Sequence, residues 1–495
     1  MWSAVDPKKI ESTKNYLISK QSNRLKEISN IPETKFLYVD WNGNIYFPQF
    51  LRKLAKVEND DSSSLAKLTP DERRSILSRE WQNLITPVLQ KEGIQLKPFN
   101  EFKKLEIPSF QIGSGRTISK NNPFSIPNAI RQNGFFESSQ IYNIYILDTT
   151  GRLNPQNLKN TLENRFGEYN LKTNIQFTSV QLPEDISNLE LEKKTDSFID
   201  NLKSKFQEEN FLPLVIHCEK SKNYNSIRKY IKRVSLQKGF PTQFLKLNNT
   251  NDNQAKFINI VFGIVAKYGD TLYLLNNKEK DVDYFIGFDV SRKIKSNGNV
   301  QNVSGGIYFF SERGKFLATK KINLEGEIIR ADEVSKIFNK EKFQGKKIVI
   351  HRDGSNKVNE IKLLKEYFEL NDIKAHIVYI TKHHTTRIFD VSQNNAKNPE
   401  KGIYLKYAEN KAILVTSDSK IGTKKPLKIE YIPLNDSPMD FQKVLKDLFD
   451  LTYMNFSSYT DISLPVTTHY SHQVSKSLID GIEPSDDVFN KPYWL

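Results

Sequence analysis

Cysteine is almost absent from this chain of 495 residues. Cys218 stands alone, which excludes a disulfide within the chain and a zinc held by cysteines. Long apolar runs are missing as well: no stretch of about 18 apolar residues occurs, so no membrane crossing is expected. The opening MWSAVDPKKIESTKNY lacks an apolar core behind a basic segment, so a cytoplasmic location is the expectation. Acid is in deficit, with 58 Asp and Glu against 73 Lys and Arg, a formal net charge of +15. Such an excess suits a polyanionic partner, nucleic acid first, although a lysine-rich soluble protein has the same balance. No internal repeat and no long low-complexity tract interrupts the text.

What is present supports real cores: 38% hydrophobic residues and 11% aromatics, over a length that accommodates two to four domains of roughly 100–200 residues each. Residues 1–60 combine a polar helical segment (Lys14 to Ile28) with FLYVDWNGNIYFPQFL, broken by the turn Asn42-Gly43. A polar linker, VENDDSSSLAK, starts at Val57. Thr69 and Pro70 then cap and open a helix whose apolar residues recur at helical spacing to Gly93. Residues 107–136 are rich in Pro, Gly and Ser and are expected to form an extended connector.

From Ile141 the pattern alternates. IYNIYILD, IQFTSV, LPLVIHC and FPTQFLKL read as strands, separated by helices over Asn154–Phe166, Asp196–Glu208 and Tyr224–Gln237. The helix INIVFGIVAKYG closes the region near Gly269. Strands alternating with helices of this length predict βαβ units and a parallel sheet. A second α/β region begins at YFIGFDVSR. It continues with the hairpin GGIYFFSERGKFLATKKIN, a short helix (Asp332 to Asn339), the strand KKIVIHRDG, a helix (Lys357 to Glu369) and the strand HIVYIT. A β-rich stretch to Ile432 and two helices complete it.

Two apolar runs of this second region lead into an acid, within a strand or at its end. Asp289 follows Phe285, Ile286 and Phe288, and Asp353 follows Ile348 to Ile350. Carboxylates at the ends of neighbouring strands can meet, and oxygen ligands of that kind suit a hard divalent cation. Taken singly, each aspartate reads first as a turn cap; as a pair, the two readings stand level. Six of the seven histidines lie after residue 350: His351, His376, His383, His384, His469 and His472. His469 and His472 share a helix face at i and i+3, and either could add a nitrogen ligand or simply lie at the surface. In the first α/β region Arg228 and Lys232 are spaced i,i+4 on a basic helix, with Gln243 and Lys267 further on. Such a cluster can hold a phosphate through charge-assisted hydrogen bonds, and it can equally be a solvated basic face.

Taken in order, GFDVSR, GEII, VIHRDG, KHHTTRIF, GTKKPLKIE and LPVTTHYSH resemble the MID and PIWI regions of prokaryotic Argonautes, over about Ile107 to Leu495. The resemblance implies an α/β chain with a Rossmann-like MID domain (141–275) and an RNase H-like PIWI domain (276–495). These would follow a small mixed α/β, PAZ-remnant-like segment (1–60) and a helix with an extended linker (61–140). It implies a catalytic tetrad of Asp289, Glu327, Asp353 and His472, with Glu325 as the fallback for the glutamate, because the text from Glu327 to Asp353 is shorter than is usual for the family. Asp289, Asp353 and His472 would hold Mg²⁺ or Mn²⁺, two ions in all. Arg228, Lys232, Gln243 and Lys267 match a guide 5′-phosphate pocket, joined by the carboxylate of Leu495 and by one further Mg²⁺, with PYWL buried. The implied activity is that of a nucleic-acid-guided endonuclease: a short 5′-phosphorylated guide, DNA rather than RNA, directs two-metal-ion hydrolysis of a complementary target in defence against foreign DNA. A hydrolysis of that kind needs no covalent intermediate, in keeping with a sequence that has no nucleophile motif. The alternatives are a weakly active or inactive guide- and target-binding protein acting through a partner effector, and an RNase H-like nuclease without a guide. A companion chain supplying the N and PAZ functions is a further expectation.

Overall fold

The computed structural model describes residues 68–95 and 101–495 apart from 181, 183–185, 206–210, 218–223, 248–252, 277–280, 295–299, 323–330, 393–394, 418–421, 480, 483 and 486–489. Before Leu68 it describes three short strands only. The chain divides into two compact units, Met1–Leu68 and Thr69–Leu495. In the first, β1 (Ile10–Ser12), β2 (Tyr38–Asp40) and β3 (Ile45–Tyr46) form an antiparallel sheet. The helix expected over Lys14–Ile28, the turn Asn42-Gly43 and the linker from Val57 lie outside the described residues.

The second unit opens as its sequence suggests. Thr69 and Glu72 form a capping box, in which each side chain satisfies a backbone N–H of the other, and Pro70 occupies the first turn of the helix Pro70–Glu80. A π-helical turn (Trp81–Ile85) and a further helical segment (Thr86–Lys91) continue it. The apolar residues Leu77, Trp81, Leu84 and Val88 along this helix are exposed, so helical periodicity here does not mark a buried face.

The connector differs from expectation. β4 (Phe102–Lys104), β5 (Ser109–Gln111) and β6 (Thr117–Ser119) precede a helix, Ser125–Asn133, which buries Ile126 and Ile130 at i and i+4. A Cβ on Gly113 would lie 2.3 Å from the Asn133 carbonyl oxygen, so this glycine marks a close backbone approach rather than a flexible tether.

The alternating region is a parallel sheet of β7 (Ile141–Asp148), β8 (Lys172–Ser179), β9 (Phe211–His217) and β10 (Gln243–Lys246), in the order β10-β9-β7-β8. Every residue of β9 is buried, as befits a strand covered by helices on both faces. The helix expected over Asp196–Glu208 runs instead over Asn188–Lys205. Its buried stripe of Leu191, Thr195, Ile199 and Leu202 starts earlier than the apolar residues alone indicate, because a threonine takes one inward position. β11 (Leu274–Leu275) then joins β5 and β6 in a small sheet.

The second α/β region builds a nine-stranded mixed sheet. Its strands are β12 (Tyr284–Ile294), β13 (Val300–Ser311), β14 (Phe316–Ile322), β15 (Lys347–Asp353), β16 (Lys374–Thr381), β17 (Ile403–Ala408), β18 (Lys411–Leu414) and β19 (Leu427–Pro433), ordered β14-β13-β12-β15-β16-β19-β18-β17, with β4 at the edge. β12, β15 and β16 run parallel at its centre. The helix Val466–Ile479 covers one face and the helix Val358–Leu370 the other. The chain end is buried: Tyr493 and Trp494 are enclosed, with the indole edge-on to Tyr308 at 4.6 Å.

Candidate metal centre and phosphate pocket

The tip of β15 alternates, and the alternation explains HRDG. Ile348 and Ile350 face the core under the helix Val358–Leu370, together with Ile286 and Phe288 of β12. Arg352 lies on that side too: its guanidinium stacks 4.1 Å from the Phe288 ring, and its Nε donates to Glu360 Oε1 at 3.1 Å with both side chains buried. His351 and Asp353 therefore face the other way, beneath the helix Val466–Ile479, where His351 Nδ1 lies 2.7 Å from Thr467 Oγ1. Burial pushes the His351 imidazole down to about 3, so it is a neutral core residue.

Register places the second carboxylate. In the parallel β12–β15 ladder Phe288 pairs with Arg352, so one step further sets Asp289 beside Asp353 on the same face. The helix above comes unusually close, because a Cβ on Gly287 would lie 2.1 Å from the Thr467 carbonyl oxygen, and one on Gly306 would lie 3.1 Å from Val474. Thr467, Ser471 and Ser475, small and polar at i, i+4 and i+8, form the buried face, and Ser475 Oγ donates to the Asp289 carbonyl at 3.1 Å. The helix thereby brings His472 Nδ1 to 3.2 Å from Asp289 Oδ2. Ligand atoms of Asp289, Asp353 and His472 all lie within 4.8 Å of one another.

Two carboxylates and an imidazole are a hard oxygen set with one nitrogen, which fits Mg²⁺ or Mn²⁺ rather than a thiophilic ion. The pair His469 and His472, equivalent in sequence, is resolved by exposure. His469 interacts with Gln473 at 3.0 Å and burial pushes it down to about 4, whereas the His472 side chain is 59% exposed and stands over Asp289. Glu327 and its fallback Glu325 lie outside the described residues. Lys382, which no local signal singles out beyond its place in KHHTTRIF, stands at this centre with Nζ 2.5 Å from Asp353 Oδ2.

The basic cluster also converges. Arg228 and Lys232 come from the helix Tyr224–Gln237, Gln243 opens β10, and Lys267 ends the helix Gln254–Lys267. Lys267 is buried; its Nζ donates to the Thr242 carbonyl at 2.9 Å and to Gln243 Oε1 at 2.6 Å. Lys232 Nζ donates to the Trp494 carbonyl at 3.3 Å, so the C-terminal segment, one residue short of Leu495, reaches the cluster. Arg228 packs its guanidinium 5.5 Å from the Phe244 ring. Burial, then the Arg228 charge, lowers Lys232 to about 8. Burial, then Lys232 and Arg228, holds Lys267 well below the usual ammonium range. Cations that depress one another inside a protein are relieved by a bound anion, and amide and ammonium donors suit phosphate.

A model of the Piwi domain family matches residues 211–483, more than half of the chain. The Aquifex aeolicus protein argonaute is 32% identical over 276 residues, 54% of this chain and 38% of that protein. The Pyrococcus furiosus protein argonaute is 29% identical over 236 residues, 44% of this chain and 29% of that one. The matched region thus spans well under two thirds of these relatives. Among solved structures, Clostridium butyricum Argonaute bound to a guide DNA and a 19-mer target DNA superposes with a TM-score of 0.69 at 22% identity, covering 97% of this chain and 69% of that one. The fold is mixed α/β, consistent with a MID unit followed by an RNase H-like PIWI unit. The chain belongs to the Piwi domain family, among the prokaryotic Argonautes.

Proposed function

We propose that this chain is a nucleic-acid-guided, divalent-metal-dependent endonuclease. The observation that carries the proposal is the convergence of Asp289, Asp353 and His472 within 4.8 Å where the parallel pairing of β12 with β15 ends. Asp289, Asp353 and His472 would hold Mg²⁺ or Mn²⁺, with Glu327 completing the set. A bound divalent ion supplies an activated water and neutralises charge on the scissile phosphate. The protein's own contribution is placement: Gly287 and Gly306 admit the helix that delivers His472, and the β12–β15 register aligns the carboxylates.

In this reading Arg228, Lys232, Gln243 and Lys267 anchor the 5′-phosphate of a short guide, with the Leu495 carboxylate and one further Mg²⁺ alongside. The guide and the target are proposed to be DNA, as in the Clostridium butyricum complex, and the role to be defence against foreign DNA. Domain limits of 1–60, 61–140, 141–275 and 276–495 go with this reading. Base pairing selects the target while Lys and Arg contact the backbone, so binding weakens steeply with salt. The test is cleavage of a labelled strand by the purified chain with a matched 5′-phosphorylated guide and Mn²⁺. Cleavage at one position, abolished by chelation, supports the proposal. Guide and target binding without cleavage under all metals tried would instead favour a binding protein that acts through a partner.

A further inference from the structure

We propose that Lys382 is a built-in counter-ion of the metal centre: its ammonium holds Asp353 until a divalent cation displaces it, and it thereby sets the centre's metal affinity. The inference rests on the metal-centre reading above. β16 runs parallel to β15 with Ile380 opposite Asp353, so Lys382, two residues on, leaves the strand end beside that carboxylate. Its Nζ sits 2.5 Å from Asp353 Oδ2, and the two side chains are only 19% and 17% exposed. A fully solvated surface pair contributes little, but an enclosed pair is screened less and matters more.

The ammonium and a divalent ion compete for one carboxylate. Asp353 cannot keep an ammonium at ion-pair distance and also bind a metal through either oxygen without setting two cations within a few ångströms, where their repulsion is strong. Metal entry must therefore move Lys382 away, and the lost ion pair is subtracted from the binding free energy. In return, the lysine steadies the metal-free centre, where Asp289 and Asp353 face each other across a short gap. Lys382 is thus a positioning residue, and its effect is readable without any catalytic turnover.

The experiment is a Mn²⁺ titration of the purified full chain without nucleic acid, following free Mn²⁺ by electron paramagnetic resonance, for wild type, K382M, K382R and D353N. Melting in EDTA and in Mn²⁺ is recorded for each. Removing the ammonium in K382M is expected to tighten Mn²⁺ binding about tenfold. The same variant should melt lower than wild type in EDTA and gain more from added Mn²⁺. K382R, which keeps the charge, should stay close to wild type, and K382Q replaces K382M if the latter does not fold. Unchanged or weaker Mn²⁺ binding by folded K382M or K382Q, with D353N still losing the ion, overturns the counter-ion role and leaves the metal centre standing. Wild-type Mn²⁺ binding by D353N would overturn the metal centre itself.

Discussion

The two candidate sites handle charge in opposite ways. In the carboxylate cluster, Asp289 and Asp353 keep company with a partner each, His472 and Lys382, and the cluster opens to solvent through His472. In the basic cluster, like charges are packed together against carbonyl and amide oxygens, and one of them, Lys267, is almost fully enclosed. The first site is a balanced one whose ligand must displace a resident cation. The second is a strained one whose ligand relieves a penalty already present. A metal that comes and goes and a phosphate that is held fast would call for that difference.

The largest expected effect breaks the first site alone. Asp353→Asn removes a metal-facing charge and should lower guided cleavage by at least about a thousandfold while leaving guide affinity near wild type, as read by single-turnover cleavage and filter binding. Gly287→Ala tests whether backbone approach, rather than charge, places His472. With 2.1 Å available, the added methyl must push the helix Val466–Ile479 outward, and we expect about a hundredfold loss of cleavage together with a stability loss of about 1–3 kcal/mol in denaturant melts.

Lys232→Ala breaks the second site alone. A charge-assisted hydrogen bond is lost, so affinity for 5′-phosphorylated guides should fall about tenfold to a hundredfold, with 5′-hydroxyl guides little affected. Equal losses for both guides would move the phosphate elsewhere. The smallest effect is a pH dependence with a fixed sign. Because the buried Lys232 ammonium sits at about 8 without ligand, the 5′-phosphate preference should decline as pH rises above 8, by up to about tenfold per unit for one required proton. The guide-free protein should move the other way. Its unfolded lysine still binds a proton between about 8 and the usual ammonium range, so stability should rise with pH across that window.

Much of both sites is legible in the amino-acid sequence alone, and for a physical reason. An apolar run that ends in Asp announces a strand delivering a carboxylate, and Asp289 and Asp353 both carry that signal. The i,i+4 spacing of Arg228 and Lys232 announces a shared helix face. What stays hidden depends on register between distant segments. Nothing local distinguishes His472 from His469; exposure and the contact with Asp289 do. Nothing in HRDG says that Arg352 turns into the core to meet Glu360 while Asp353 turns out. Lys382 reads as one lysine among many until β16 is laid beside β15. The connector likewise hides the helix Ser125–Asn133, whose interior Pro127 sits in its first turn, where proline is tolerated.

The most direct test is to soak crystals of the chain in Mn²⁺ and collect data at the manganese edge. An anomalous peak in ligand contact with Asp289, Asp353 and His472, with Lys382 withdrawn from Asp353, is the expected result. Ordered side chains at those positions with no peak between them, at Mn²⁺ concentrations that saturate cleavage, would contradict it.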